Sequence, residues 1–485
     1  MQNGSKAATE SGSPPTASRR RSIELSMRWI RREGKDGKEK ERRKGKRRNR
    51  IRESDSTDVE LVCRLGDSTE LARCRLASRT LRSLSRDVRS VRLFCSRDRF
   101  LRSRAPATCD HDTPFRSLVA NLASFLSASP GPLSLALAAE RPLSAPADEV
   151  DDADDLHLTA VPFLARWLPL LAARLRSLAI DDYWLQSCWR PSQALSLIAD
   201  LCHDLVNLEV RNAWLSVEEL KPMHKLTSLT LEFIRLDDAN LDKVNECFPS
   251  LQALNLIGVG GLKEPKIHLL QLRVCTWTVS NFVLSLTVCA PKLVELKLKC
   301  VEPEALHLET PLLSELDVTI KKARATIVVG EKLNLRSLRI ESSDLCNLAQ
   351  VFAHSRTIKR LELKAYGSSH CVDLVEQCTI DLLSTFPDID ELVLGPRAWF
   401  ILPENLSVRG ELRNLKKLMV HLAPEELDAA MITWKLTPLL THTRYCQVVM
   451  LIPAAASMDS RTHVISKCIS NFPGIRWKWD TWKCG

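Results

Sequence analysis

A six-residue pattern recurs through most of the chain and restricts its fold more than any other feature. The pattern is Leu-x-x-Leu-x-Leu, with Ile or Val allowed at the apolar positions. It occurs eleven times, as LRSLAI (175–180), LVNLEV (205–210), LTSLTL (226–231), LQALNL (251–256), LLQLRV (269–274), LVELKL (293–298), LSELDV (313–318), LRSLRI (335–340), IKRLEL (358–363), IDELVL (389–394) and LKKLMV (415–420). From Leu205 to Leu415 the mean interval is about 23 residues. A repeat of this length indicates one structural unit that is stacked many times.

The hexamer and its interval are typical of leucine-rich repeats, which contain about 20–29 residues each. Each hexamer predicts a short strand whose apolar residues enter a shared core, while the residues between them face outward. One repeat cannot bury its apolar side alone, so neighbouring repeats stack in parallel. We therefore predict an α/β leucine-rich-repeat solenoid over residues 161–485. It is a horseshoe with parallel strands on the concave face and helices or irregular returns outside.

The segments between the hexamers support this interpretation. Residues 237–248 and 372–383 have the spacing of amphipathic helices that return the chain to the next strand. Proline precedes the first apolar residue of a repeat by two positions and ends the preceding element, in FPSL (248–251), APKL (290–293), FPDI (386–389) and FPGI (472–475). At the other end of the pattern, Ile475, Trp477 and Trp479 alternate at the strand period, with Trp482 following. We interpret these residues as a C-terminal cap that shields the last coil.

The positive charge of the chain is concentrated in one segment. Residues 1–55 contain 18 Lys and Arg against 8 Asp and Glu, which accounts for the whole net charge of +10. Residues 32–50 are nearly free of apolar side chains, so we expect residues 1–55 to form a disordered basic arm. A solvated tail without a specific role and a nuclear-import signal both fit this arm. Nucleic-acid contact is a weaker interpretation, because aromatic side chains that could stack on bases are almost absent.

Cysteine usage and hydropathy indicate the compartment. The chain has 16 cysteines without a CxxC pair, and Cys202, Cys247, Cys289 and Cys378 stand where small core residues belong. This pattern favours reduced thiols in the nucleus, the cytoplasm or both. The most apolar stretch, residues 161–180, contains three arginines, so it predicts an amphipathic helix that runs into a strand rather than a membrane span.

Catalytic and cofactor motifs are not recognisable. The glycines of IGVGG (257–261) lack the spacing and the lysine of a phosphate-binding loop, and no metal-ligand or nucleophile motif stands out. We therefore expect no enzyme, no cofactor and no bound metal.

The segment ELVCRLGDSTELARCRLASRTLRSL (60–84) predicts two short amphipathic helices joined by a polar break at residues 66–69. It resembles the second half of an F-box, and a leucine-rich-repeat region follows it as in plant F-box/leucine-rich-repeat proteins. The resemblance implies contact with a Skp-type adaptor through the apolar residues Leu61, Val62, Leu65, Leu71, Cys74, Leu81 and Leu84.

This segment departs from the F-box pattern in two places. The Leu-Pro opening is absent, because IRESDSTDVE (51–60) stands where the first helix begins, and Leu81 replaces the usual Trp. We assign residues 56–105 to an F-box-like helical unit, and a helical hairpin that simply covers the solenoid is the alternative. Residues 106–160 contain several prolines and an acidic run, so we predict a connector of loops there, with LSLAL (133–137) as a possible irregular first strand.

The outward residues of the hexamers form the predicted functional surface. They carry mixed charge and few aromatic rings, which favours a protein partner bound through complementary charge and hydrogen bonds. The residues selected for this role are Arg273, Glu295, Lys297, Asp317, Arg339 and Glu362. The resemblance implies a substrate-recognition subunit of a cullin-type ubiquitin ligase. The alternatives are a stand-alone interaction scaffold without adaptor binding, which would be nuclear if the arm directs import, and a sheet surface without a partner.

Overall fold

The chain divides into two units, Met1–Val62 and Cys63–Gly485. The computed structural model describes residues of the second unit only, namely 73, 76, 88–96, 114–128, 131–140, 156–182, 191–279, 282–301, 303–321, 326–329, 333–343, 345–353, 355–365, 385–395, 398, 414–424, 427–440 and 446–483. The predicted basic arm at 1–55 therefore lies outside the described residues.

Twenty described strands form two parallel sheets. The strands are β1 (Ser90–Cys95), β2 (Leu133–Ala139), β3 (Leu175–Asp181), β4 (Pro191–Ser192), β5 (Asn207–Leu215), β6 (Ser228–Arg235), β7 (Ala253–Val259), β8 (Lys266–His268), β9 (Val274–Val279), β10 (Ser285–Cys289), β11 (Glu295–Cys300), β12 (Ala305–Glu309), β13 (Glu315–Ile320), β14 (Thr326–Val329), β15 (Ser337–Ser342), β16 (Arg360–Ala365), β17 (Glu391–Leu394), β18 (Lys417–His421), β19 (Gln447–Pro453) and β20 (Arg476–Trp482). Strands β8, β10, β12 and β14 form the smaller sheet, and the other sixteen form the long sheet. Apart from β4, which pairs beside β5, the long sheet runs in chain order from β1 to β20. This open parallel topology confirms the predicted solenoid.

The hexamers form strands because their apolar residues are buried between neighbouring coils. In LVNLEV (205–210), Leu205, Leu208 and Val210 are buried, and the strand begins at the third residue. A tight turn precedes several of the strands: the amide of the first leucine donates a hydrogen bond to the carbonyl three residues earlier, for example Leu251 N to Phe248 O at 3.2 Å. Ten of the eleven hexamers form strands in the predicted phase.

The phase predicted for LLQLRV (269–274) was wrong by three residues. The register pairs Leu254 with Cys275 and Leu256 with Trp277, so β9 begins at Val274. Cys275 and Trp277 take the core positions that leucine occupies elsewhere, and both are fully buried. The preceding turn, residues 269–272, contains three leucines, so the hexamer pattern also matches the sequence three residues too early.

Short coils replace helices in the middle of the solenoid. Ala253, Val274, Glu295, Glu315 and Ser337 occupy equivalent register positions and follow one another at intervals of 20–22 residues. These intervals leave no room for a helix and its turns, so the returns here form the smaller sheet. The smaller sheet buries alternate residues against the core. The prediction of helices or irregular returns therefore missed a regular second sheet.

Seven described helices form other parts of the solenoid. They are α1 (Pro114–Ser127), α2 (Val161–Leu171), α3 (Ala194–Leu201), α4 (Asp238–Cys247), α5 (Leu345–Val351), α6 (Ala429–Leu440) and α7 (Met458–Asn471). The α4 helix confirms the return predicted at 237–248: Asp237 caps it by accepting from Asn240 N at 2.8 Å, and Leu241 and Val244 are buried. The other predicted helical return, 372–383, lies outside the described residues.

The described sheet extends further toward the N-terminus than predicted. Strand β1 lies inside the segment 56–105 that was assigned to a helical unit, and it pairs in parallel with β2 from Ser90 to Cys95. Helix α1 lies inside the predicted connector of loops and buries Phe115 and Val119. The sequence LSLAL belongs to β2, which is the second strand and follows the sheet with one register shift. Alternation over only six residues in β1, without a full hexamer, explains why the sheet was not recognised here.

Residues 161–180 form helix α2 and then strand β3, as predicted. The helix begins with Pro162 in its first turn and buries Trp167 and Leu168. No helix in the described part of the chain is long and apolar enough to cross a membrane.

The last strand, β20, carries the tryptophans assigned to the cap. Trp477 and Trp479 occupy the core-side positions aligned with Val448 and Met450 of β19. Their rings stack with centroids 5.2 Å apart and 13° between the planes, and both remain half-buried. Trp482 lies on the opposite side of the strand, where its Nε1 donates to the carbonyl of Leu422 at 3.1 Å.

Replacing Trp277 with Ala tests the corrected phase of β9. The substitution removes a fully buried side chain, so the free energy of unfolding should fall by about 3–5 kcal/mol. The adjacent outward residue provides the control: Thr276→Ala should change stability by less than about 1 kcal/mol. Urea denaturation followed by circular dichroism measures both values. Equal effects of the two substitutions would contradict the register.

Candidate interaction surface

The outward residues of the long sheet form a continuous polar surface, which we call the open face. It comprises the side chains at the first, third and fifth positions of the strands, where exposed or half-buried residues alternate with buried ones. The register sets Lys297, Asp317, Arg339 and Glu362 beside one another at the third position of four consecutive strands. Four of the predicted target-binding residues are thus brought into one row, and Glu295 flanks the row at the first position of β11.

Arg339 connects the acidic side chains around it. Its guanidinium nitrogens lie 3.5 Å from Asp317, 3.6 Å from Glu362 and 3.8 Å from Glu341. Neighbouring parallel strands place these side chains side by side, so the contacts follow directly from the register. One cation therefore contacts three carboxylates on the open face.

Glu362 is the most enclosed of these carboxylates, with a side chain 13% exposed. Besides Arg339 it contacts Lys364 at 3.1 Å and Arg360 at 3.7 Å. Arg360 also pairs with Glu391 at 2.9 Å, and Glu391 pairs with Lys417 at 2.7 Å. Most charges from β13 to β18 are therefore matched within the protein.

The charge pairing is looser on β11 and at the start of β13. Lys297 pairs with Glu295 at 2.7 Å, and this hydrogen bond raises the pKa of Lys297. Lys299 and Glu315 are exposed and make no ion pair with another described residue. These two side chains are the most available charges in this part of the open face.

On both sides of the charged row, the third strand positions of the open face carry uncharged residues. On β7 and β9 the open face carries neutral residues, where Asn255 Nδ2 donates to Thr230 Oγ1 at 3.0 Å. On β17 to β19 the row of third positions continues with Val393, Met419 and Val449, of which Val393 and Val449 are buried and Met419 is half-buried. The sequence pattern did not place Val449 in this row, because β19 lacks a recognisable hexamer.

Besides Lys297, two other titratable groups of the open face have shifted pKa values. Burial raises the pKa of Asp317, and Arg339 opposes this shift. Burial lowers the pKa of His421, and the nearby Lys364 lowers it further. His421 also packs edge-on against the Trp482 ring, with centroids 5.8 Å apart. The structure therefore favours neutral His421.

The sixth predicted target-binding residue, Arg273, is misplaced. It precedes β9 and its amide donates to the carbonyl of Gln252, so it lies in the turn rather than at an outward strand position. Thr276 takes the position on the open face that the prediction gave to Arg273. The error follows from the three-residue phase error in LLQLRV.

The predicted adaptor-binding residues of the F-box-like unit lie outside the described residues. They are Leu61, Val62, Leu65, Leu71, Cys74, Leu81 and Leu84. Their roles stay predictions.

The cysteines and the other potential metal ligands are candidates for a reactive or metal-binding site. Within the described ranges no group of His, Cys, Asp and Glu side chains is placed to hold a metal ion. The described cysteines are free thiols, and of the core positions proposed for them Cys202 and Cys247 are buried, Cys289 is half-buried, and Cys378 lies outside the described residues. Burial raises the pKa of Cys202 and of Cys275 to about 12, which disfavours the nucleophilic thiolate.

A cleft of about 520 Å³ lies where β3, β4 and the start of α2 meet. Its polar groups are largely bonded to one another. Thr159 Oγ1 donates to Asp182 at 3.0 Å, and Ser192 Oγ donates to the Thr159 carbonyl at 2.6 Å. The open face is therefore the stronger candidate for recognition.

The parallel strand order and the outward polar rows define a leucine-rich-repeat protein. A comparison with curated proteins finds an F-box/LRR-repeat protein of Arabidopsis thaliana that is 40% identical over 436 residues, which covers 88% of this chain and 97% of the relative. The chain belongs to the plant F-box/LRR-repeat proteins. A scan against protein-family models gives no match.

The shifted pKa of His421 predicts a pH-dependent stability. Because the folded protein holds the proton less tightly than the unfolded chain, its stability should decrease as the pH falls below about 6.5. We expect the melting temperature to fall less between pH 7 and pH 5.5 in His421→Gln than in the unmodified protein. Differential scanning fluorimetry across this range measures the difference. The exposed His463→Gln is the control and should follow the unmodified protein; identical behaviour of both variants would contradict the prediction.

Proposed function

We propose that this protein is the substrate-recognition subunit of a cullin-type (SCF) ubiquitin ligase. It holds a protein target on the open face and binds a Skp-type adaptor through residues 56–105. Membership in the F-box/LRR-repeat family is the observation that carries the proposal. In this role the chain performs no chemistry, because the assembled ligase transfers ubiquitin to the bound target.

The open face supports a protein target through its size and its chemistry. It runs across consecutive strands and alternates donors and acceptors at strand spacing, which suits an extended or folded polypeptide better than a small molecule. The order of charges along the row from Lys297 to Glu362 sets the orientation of a bound partner, because the partner must place opposite charges against it. Of the apolar third positions on β17 to β19, the half-buried Met419 is the one that a partner can contact without breaking ion pairs.

A partner that binds the charged row must replace ion pairs that already exist within the protein, because most charges of the row are paired. Arg339 already contacts three carboxylates, so a target carboxylate gains only by displacing one of them. Lys299 and Glu315 can pair with a target without this exchange. Recognition by this surface therefore favours selectivity over raw affinity.

The proposed cellular compartment rests on the sequence. We propose action in the nucleus, the cytoplasm or both, with the basic arm as the segment that would direct nuclear import. Neither nucleic acid nor a membrane is part of the proposed role.

Adaptor binding is tested with the purified full chain and a Skp-type adaptor. We expect a complex in a pull-down assay, and we expect Leu61→Asp with Leu65→Asp to abolish it, because charged groups cannot pack against an apolar adaptor groove. Leu270→Asp changes an exposed leucine in the repeats and serves as the matched control, which should bind normally. An unmodified chain that does not bind the adaptor would favour the alternative of a stand-alone scaffold.

Target binding is tested by charge reversal in the row. We expect Lys297→Glu with Arg339→Glu to reduce capture of ubiquitylated proteins by about tenfold or more, at unchanged adaptor binding. Quantitative mass spectrometry of proteins captured from cells with an inhibited proteasome provides the measurement. Lys263→Glu with Lys266→Glu, both exposed away from the open face, is the control pair. Equal capture by both double variants would remove the charged row from the proposal.

A further inference from the structure

Strand β20 is the end strand of the long sheet among the described residues. Strand β20 pairs in parallel with β19 over seven residues, from Arg476 to Trp482. No strand in the described part of the chain pairs with its other edge. Backbone donors and acceptors on such an edge form a template for a further strand. The Thr481 amide donates to Asp480 Oδ1 at 2.8 Å, so a second strand that pairs with Thr481 must replace this hydrogen bond.

The core-side surface of β20 also lacks full cover. Trp477 and Trp479 stand where leucine or valine is buried in interior coils, yet both are only half-buried. Phe472 packs on one side of Trp477, with ring centroids 6.3 Å apart, and Trp479 stacks on the other. The terminal coil thus presents aromatic surface beside an open strand edge.

The charges on β20 favour one arrangement in which a second copy covers both the strand edge and the tryptophans. Arg476, Lys478 and Asp480 are exposed on the open-face side of the strand. When two copies of β20 pair antiparallel about Trp479, each Lys478 lies opposite Asp480 of the second copy, and the two Trp479 side chains meet on the core side. Centring the pair on residue 477 or 480 instead sets Arg476 against Lys478 or Asp480 against itself. Centring it on residue 478 sets Arg476 against Asp480 twice but also sets Lys478 against itself.

We propose that the protein forms a two-fold dimer by antiparallel pairing of β20 with β20 of a second copy, in the register centred on Trp479. The long sheet then continues from one copy into the other, and the tryptophans of each copy cover those of its partner. Charged residues on an edge strand usually prevent pairing. Here the opposite signs of Lys478 and Asp480, two residues apart, favour the register centred on Trp479, because it makes two attractive pairs without opposing like charges.

The oligomeric state of the full chain tests this proposal. We expect sedimentation equilibrium to give a dimer at micromolar concentration. In the dimer, Lys478→Asp sets the new Asp side chain opposite Asp480 of the second copy. Asp480→Lys sets the new Lys side chain opposite Lys478 of the second copy. The two-fold axis makes each repulsive contact occur twice. Each single reversal should weaken dimerisation by about tenfold or more, because two attractive pairs become repulsive. An equimolar mixture of the two variants should form heterodimers, and the double variant that exchanges both charges should dimerise like the unmodified chain.

Two controls make the outcome decisive. Lys299→Asp carries the same charge change on the interior strand β11 and should leave the dimer intact, while circular dichroism verifies the fold of every variant. A monomeric unmodified chain at tens of micromolar would overturn the proposal and leave the edge to an extended segment of another protein. Dimers that survive both single reversals, or reversals that fail to complement each other, would overturn the assigned register.

Discussion

Burial of each coil against the next coil is the interaction on which the described structure depends. Leu296 illustrates it: the register places it between Cys275 of the preceding strand and Leu316 of the following one, and all three are buried. Each such side chain contributes about 1.5–3 kcal/mol when it leaves water. Because the contribution exists only when neighbours are aligned, the core fixes the register. The register in turn brings Lys297, Asp317, Arg339 and Glu362 into one row.

The ion pairs of the open face have a different role from the core. Most of them are partly exposed, and pairs of this kind contribute little to stability, usually less than about 1 kcal/mol each. They nevertheless hold the side chains in fixed positions and balance the signs. Glu362, enclosed by Arg339, Arg360 and Lys364, organises this arrangement. The surface is thus ordered before any partner arrives, which reduces the entropy lost on binding.

The sequence predicted the repeat architecture well because one residue type marks the core at a fixed spacing. It failed where other residues fill the core positions: Cys275 and Trp277 replace leucine in β9, and β19 uses Val448 and Met450. The alternation of tryptophans in β20 was recognised from the sequence. Coil length alone could have indicated the smaller sheet, since intervals of 20–22 residues exclude helical returns. The ion pairs could not be predicted, because they depend on which strands become neighbours and on the exact register between them.

The distribution of cysteines along the solenoid has a practical consequence. Cys202, Cys275, Cys300, Cys446 and Cys468 lie in different coils, all are buried, and burial raises each pKa to about 11 or 12. A thiol reagent reaches such a side chain only when its coil opens transiently. The rate at which each cysteine is alkylated therefore reports the opening of one coil, so the native chain carries its own probes for mapping local unfolding from one end of the repeats to the other.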